Sequence, residues 1–296
     1  MSRAIVCGID LANGGEAVAK VAATLACALD GRAVLIHVMD PPSRPPERGL
    51  PSLRRARHLG RLRAIVDDLG LPHGTSAEVL AGEPADQLMR RAANRDAELI
   101  VLGSSGLLEI GSALRGSVPN TLMRTASCPV VVVPPDATAP SAIASVVCGV
   151  EGGRHDVNLL RLGWDLGQRL SATVRAVHAF NPGPAPAGAG VAPPIMPELR
   201  DAADKRIRRA IAEAGIEARP SVLALPPAEA LIRAAEEEDA GLIAVASQGR
   251  GKLGSILLGS VSLRLAATAP VPVVVLPPRA ELAAGSGHYE VAAVAA

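Results

Sequence analysis

The stretch GSSGLLEIGSALRGS at residues 103–117 returns 143 residues later as ASQGRGKLGSILLGS at 246–260, and this pair of copies decides the fold. In the first copy Gly103, Gly106 and Gly116-Ser117 stand in the spacing G-x2-G-x9-G-S; the second keeps Gly249 and Gly259-Ser260 but opens on Ala246. A glycine that ends a strand lets the backbone pass close to a ligand. The closing glycine and serine stand where the next helix begins, and the free N–H groups and positive dipole end of a helix start suit a phosphate. The Walker A pattern is excluded because no Lys-Ser/Thr pair follows the last glycine. The dinucleotide fingerprint is excluded by the long gap.

The repetition extends over the whole chain. IVCGID at 5–10 returns as VVCGVE at 146–151, and His37 of LIHVM returns as His178, both offset by 141 residues. CPVVVVPP at 128–135 returns as VPVVVLPP at 271–278, so the halves align with two residues of net insertion. A duplicated domain follows, with one unit at 1–137, a second at 143–279 and a weakly ordered tail at 280–296.

Within a half, short apolar runs alternate with helical periodicity. AIVCGI reads as a strand, and Val18, Val21, Ala22, Leu25 and Leu29 then recur at helical spacing up to a stop at Gly31. AVLIHV, SAEVLAG, ELIVLG and PVVVV read as further strands, separated by a basic helix at 52–69, a helix opened by Pro84 and a short helix at 118–126. Strands that are apolar throughout, with helices between them, belong to a parallel sheet covered on both faces.

Composition narrows the function. Lys and Arg (30) nearly balance Asp and Glu (29), and aromatics are 1%, so neither polyanion attraction nor base-stacking platforms are expected, and no specific nucleic acid is. No run of about 18 apolar residues predicts a membrane span. Cys7, Cys27, Cys128 and Cys148 have no metal-ligand spacing and read as reduced thiols, which places the chain in the cytoplasm. The basic runs RRARHLGRLR at 54–63 and KRIRR at 205–209 read as solvated helix faces. His37 and His178 read as packing or hydrogen-bonding residues, since no nucleophile or carboxylate accompanies them at a recognisable spacing. No catalytic residue and no metal site is assigned.

Taken together and in order, the glycine motif, IVCGID, LIHV, LAGEPADQL and CPVVVV resemble the universal stress protein family, twice over. The resemblance implies, for each half, a doubly wound α/β domain whose five parallel strands lie in the order 3-2-1-4-5. It implies pairing of the two halves through their fifth strands about a pseudo-two-fold axis, and it is compatible with a homodimer of whole chains. Position by position, it implies that Asp10 faces a ribose and Val38 flanks an adenine. Gly103 and Gly106 would let the ligand pass, and Gly116, Ser117 and Val118 would hold its phosphates. The second-half counterparts are Glu151, Gly249, Gly259, Ser260 and Val261. Pro119 departs from the family's usual hydroxyl residue, and Glu151, Ala179 and Ala246 depart from its Asp, Val and Gly. Arg250 and Lys252 make the second loop the more basic one.

The implied function is ATP binding, with or without magnesium, in a stress-response regulator that works through occupancy rather than turnover. A nucleotide-free partner-binding or structural module of the same fold is the alternative. The first half, with the more faithful motif, is the expected site.

Overall fold

The computed structural model describes residues 3–13, 15–39, 50–105, 107, 117–140, 142–153, 155–180, 197–247 and 259–280. The first half runs β1 (Ala4–Gly8), α1 (Glu16–Ala28), β2 (Arg32–Met39), α2 (Leu50–Asp68), β3 (Ser76–Ala81), α3 (Pro84–Asn94), β4 (Ala97–Gly103), α4 (Val118–Thr125) and β5 (Val130–Val133). The second repeats the order as β6 (Ser145–Gly149), α5 (Asp156–Leu170), β7 (Thr173–Ala179), α6 (Pro197–Ala214), β8 (Arg219–Leu223), α7 (Pro227–Glu237), β9 (Leu242–Ala246), α8 (Ser260–Thr268) and β10 (Val273–Leu276).

Each half has the strand order 3-2-1-4-5, but the two sheets are one. The order across the molecule is β3-β2-β1-β4-β5-β10-β9-β6-β7-β8. Every pairing within a half is parallel, and the single join between halves is antiparallel, with Val131 opposite Val274 at its centre. An apolar fifth strand left at an edge would offer unpaired N–H and C=O groups. Here β5 and β10 satisfy each other.

Both faces of this sheet are buried, which is why β5 and β10 read as unbroken valine runs. Val131, Val133, Val274 and Leu276 face the layer of α1, α2, α5 and α6, whereas Val130, Val132, Val273 and Val275 face the layer of α3, α4, α7 and α8. Each such side chain contributes about 1.5–3 kcal/mol by leaving water. With so few aromatics, close approach must do what ring volume does elsewhere. Gly163 shows this on α5, where a Cβ would overlap the Sγ of Cys148.

Two features position the candidate site. Gly15 precedes α1 with φ of 75°, a left-handed turn that swings the chain from β1 over the sheet end. His37, at the end of β2, places Nδ1 3.0 Å from the carbonyl oxygen of Ile9, and His178 repeats the contact with Val150 at 2.7 Å. A carbonyl only accepts, so both rings carry a proton on Nδ1 and donate it. The repeated histidines fasten the loop that leaves the first strand of each half. Among the described residues, no helix is long and apolar enough to cross a membrane.

Candidate functional site

The strand order reverses between β1 and β4, and an open α/β sheet receives ligands at that point, beyond the carboxyl ends of its strands. A cavity of about 460 Å³ lies there, well within the range that holds small molecules. Asp10 enters it from the β1–α1 loop, Val38 from β2, Gly103 from the end of β4, and Val118 and Pro119 from the start of α4. Four residues predicted from motif positions scattered over more than a hundred residues of sequence therefore share one cavity. Ser117 adjoins it as the N-cap of α4, while Gly106, Gly116 and Gly249 fall outside the described residues, as do Arg250 and Lys252.

Asp10 is exposed but held in one orientation. Its Oδ1 accepts the N–H of Ala12 at 2.9 Å and its Oδ2 accepts from Nδ2 of Asn13 at 2.7 Å. Each oxygen has two lone-pair directions, so the carboxylate retains acceptor capacity for a hydroxyl donor. At the other wall, the Oγ of Ser117 is buried with no hydrogen-bond partner among the described residues, and it makes no cap to its own helix. A buried hydroxyl without a partner is costly in a finished core and useful beside a ligand. Pro119 removes one N–H from the first turn, where proline is otherwise well tolerated.

The third wall was not read from the sequence. Arg54, His58 and Arg61 of α2 line the cavity; both arginines are exposed, so the basic run is a solvated face whose edge borders the site. Their spacing of i, i+4 and i+7 is that of a single helix stripe, which was the available signal. Arg61 donates Nη2 to the carbonyl oxygen of Leu11 at 2.6 Å, tying α2 to the β1–α1 loop. The His58 ring stacks on His37 with centroids 4.6 Å apart and planes 11° from parallel. Burial, and then the charges of His37, Arg54, Arg61 and Arg57, hold the His58 imidazole below the ordinary histidine range.

The second half builds the equivalent corner differently. Asp156, 4% exposed, accepts the N–H groups of Glu151 (3.2 Å), Gly152 and Gly153 (2.8 Å), so a carboxylate of the chain already fills the nest made by that loop. The N–H of Gly259, predicted to meet phosphate, donates to the carbonyl oxygen of Ser247 at 2.7 Å. Ser260 opens α8 and Val261 follows it; Ser262, at the position of Pro119, donates its hydroxyl back to the Gly259 carbonyl at 2.9 Å. Glu151 is exposed, and Ala246 ends β9 with a methyl group where the first half has Gly103.

These features define a doubly wound α/β domain, here in tandem, with a lined cavity at the switch point of the first half. The family model described as the universal stress protein family matches residues 1–134 and again 143–277, and the chain belongs to that family. A universal stress protein of Mycolicibacterium smegmatis is 29% identical over 93% of this chain and 97% of its own length. One from Mycobacterium tuberculosis is 34% identical over 62% of each chain. The crystal structure of a universal stress protein from Archaeoglobus fulgidus matches the fold with a TM-score of 0.63 at 19% identity, covering 94% of this chain and 97% of that one.

Proposed function

We propose that this chain is an ATP-binding regulatory protein whose first half holds the nucleotide and whose output depends on occupancy rather than turnover. The observation that carries the reading is the convergence of Asp10, Val38, Gly103 and Val118 on one cavity, with the unpartnered Ser117 hydroxyl beside it. In this reading Asp10 accepts from a ribose hydroxyl, Val38 lies against the base, and Ser117 with the α4 start receives the phosphates. Gly103 leaves room for the ligand to pass. Magnesium, where it accompanies ATP, is carried on the phosphates. What bound ATP supplies is a rigid, anionic plug joining β1, β4 and α4, and a downstream partner in the stress response would read that state. Association of whole chains as a homodimer is a further part of the proposal, checked by light scattering.

A nucleotide-free role suits the second half, because Asp156 already satisfies the loop amides there. The test is direct. Freshly purified protein is denatured, released nucleotide is identified by mass spectrometry, and the emptied protein is titrated with ATP by calorimetry. About one ATP per chain supports the reading. No released nucleotide together with no titration heat overturns it in favour of a partner-binding or structural module.

A further inference from the structure

Arg54, His58 and Arg61 face the cavity from α2, and nothing in the nucleotide reading uses them. They do not belong to the phosphate end. Arg61 is bonded to the carbonyl of Leu11, next to Asp10, and His58 is stacked on His37, next to Val38. The α4 start, with Ser117, forms the opposite wall. A ligand whose phosphates meet α4 therefore brings its ribose and base against two arginines and two imidazoles.

Among the described residues no carboxylate pairs with Arg54, Arg57 or Arg61, whereas on α6 of the second half Arg208 pairs with Asp204 and Arg209 with Glu213. Asp10 is the one carboxylate among the described residues lining the cavity, and Ala12 and Asn13 already engage it. The Nδ1 of His58 is buried with no hydrogen-bond partner among the described residues. Aligned on the fully buried Leu62 and Ile207, the second half keeps Arg206 for Arg61 but has Leu199 for Arg54 and Ala203 for His58, so the full set of three belongs to the first half.

We infer that the cavity contains a second anion subsite, formed by Arg54, His58 and Arg61, and that its preferred ligand is an adenine nucleotide carrying an additional phosphate on the ribose. This rests on the nucleotide reading and specifies the substrate class within it. Two guanidinium groups beside the His58 ring match the oxygens of a phosphate dianion, and charge-assisted contacts of this kind are the strong ones. A bound phosphate also places a negative charge beside His58, opposite in sign to the surrounding Arg54, Arg57 and Arg61.

The experiment compares AMP, ADP, adenosine 3′,5′-bisphosphate and adenosine 2′,5′-bisphosphate by calorimetry on the full chain and on Arg54→Gln. ADP and the bisphosphates carry the same number of phosphates in different places, and ATP, close to a bisphosphate in total charge at neutral pH, controls for general charge attraction. The expected result is at least one bisphosphate binding about tenfold tighter than ADP. Arg54→Gln should erase that margin by weakening the bisphosphate more than ADP, with the 2′ and 3′ isomers reporting which ribose position is read. His58→Gln should reduce the margin in the same sense, and the His58 ring signals of wild type should titrate at higher pH with bisphosphate bound. Equal binding of ADP and both bisphosphates overturns the inference and leaves the nucleotide reading standing, as does an Arg54→Gln variant that weakens ADP and bisphosphate alike. Failure of all four nucleotides and of ATP overturns both.

Discussion

Arg169, in the last turn of α5, reaches into the other half of the molecule and grips Glu98 at the start of β4. Its Nη2 donates to Glu98 Oε2 at 3.1 Å and to the carbonyl oxygen of Leu29 at 2.6 Å, while Nη1 meets Glu98 Oε1. The fork geometry is one that lysine does not reproduce. Glu98 is only 10% exposed, so removing its partner leaves a carboxylate without compensation in a poorly hydrated place.

Arg169→Met is therefore expected to cost about 1–3 kcal/mol, read as a lower denaturation midpoint. The double variant Arg169→Met with Glu98→Leu should recover most of that loss, because an apolar pair needs no compensation. A single variant indistinguishable from wild type would show that the join between halves depends on β5 and β10 alone.

Thiol chemistry gives a pH-dependent expectation. Burial pushes the Cys128 and Cys148 thiols up to about 12 from an ordinary 9.0, and raises Cys7 further, whereas Cys27 is exposed. At neutral pH a thiol reagent should label Cys27 rapidly and the other three only after denaturation. The sign for stability follows. Above pH 9.0 the unfolded chain releases these protons while the fold retains them to about 12, so stability is present below that window and declines as pH rises through it. Replacing Cys148 by Ala should flatten part of the decline in a series of denaturation curves.

How much of this could be read from the sequence depends on where the determining contacts lie. The strands were legible because both faces of each are covered, and Val130–Val133 can be little else. The position of the cavity was legible too, since Asp10 and Gly103 each close a recognisable strand. Two things were not. The placement of Arg54, His58 and Arg61 along the cavity edge depends on how α2 rotates against β2 and the β1–α1 loop, a tertiary fact that Leu62 settles by being wholly buried. The role of Asp156 was hidden as well, because an acid in the first turn of a helix is ordinary. Only the converging amides of 151–153 give it a second meaning.

That second meaning is testable. Asp156→Ala deprives three backbone N–H groups of their acceptor, and is expected to cost about 2–4 kcal/mol, each such bond to a charged acceptor being worth roughly 1.5–3 kcal/mol before water compensates. Hydrogen exchange should quicken at Glu151, Gly152 and Gly153 and remain unchanged at Ala12 and Asn13. An unaltered exchange pattern would mean that this loop is held by its other contacts.

The asymmetry between the halves turns on Gly103 and Ala246. Among the described residues a Cβ built on Gly103 would meet only Val18 Cγ2 at 3.4 Å and Ser105 Oγ at 4.0 Å, so the described fold accepts alanine there. Gly103→Ala should leave the melting temperature nearly unchanged, and any loss of ATP affinity then reports the ligand's own need for space. The expected loss is about ten- to hundredfold, the range of one unfavourable contact in a buried polar site. Asp10→Ala should lose a similar amount. Ala246→Gly should change nothing, because opening space at β9 leaves Asp156 in the loop nest and the Gly259 N–H bonded to Ser247. Calorimetric titration of the three variants decides between the halves. A gain of binding in Ala246→Gly, or a Gly103→Ala variant that binds like wild type, would assign the nucleotide to the second half and make the basic residues Arg250 and Lys252 the stronger influence.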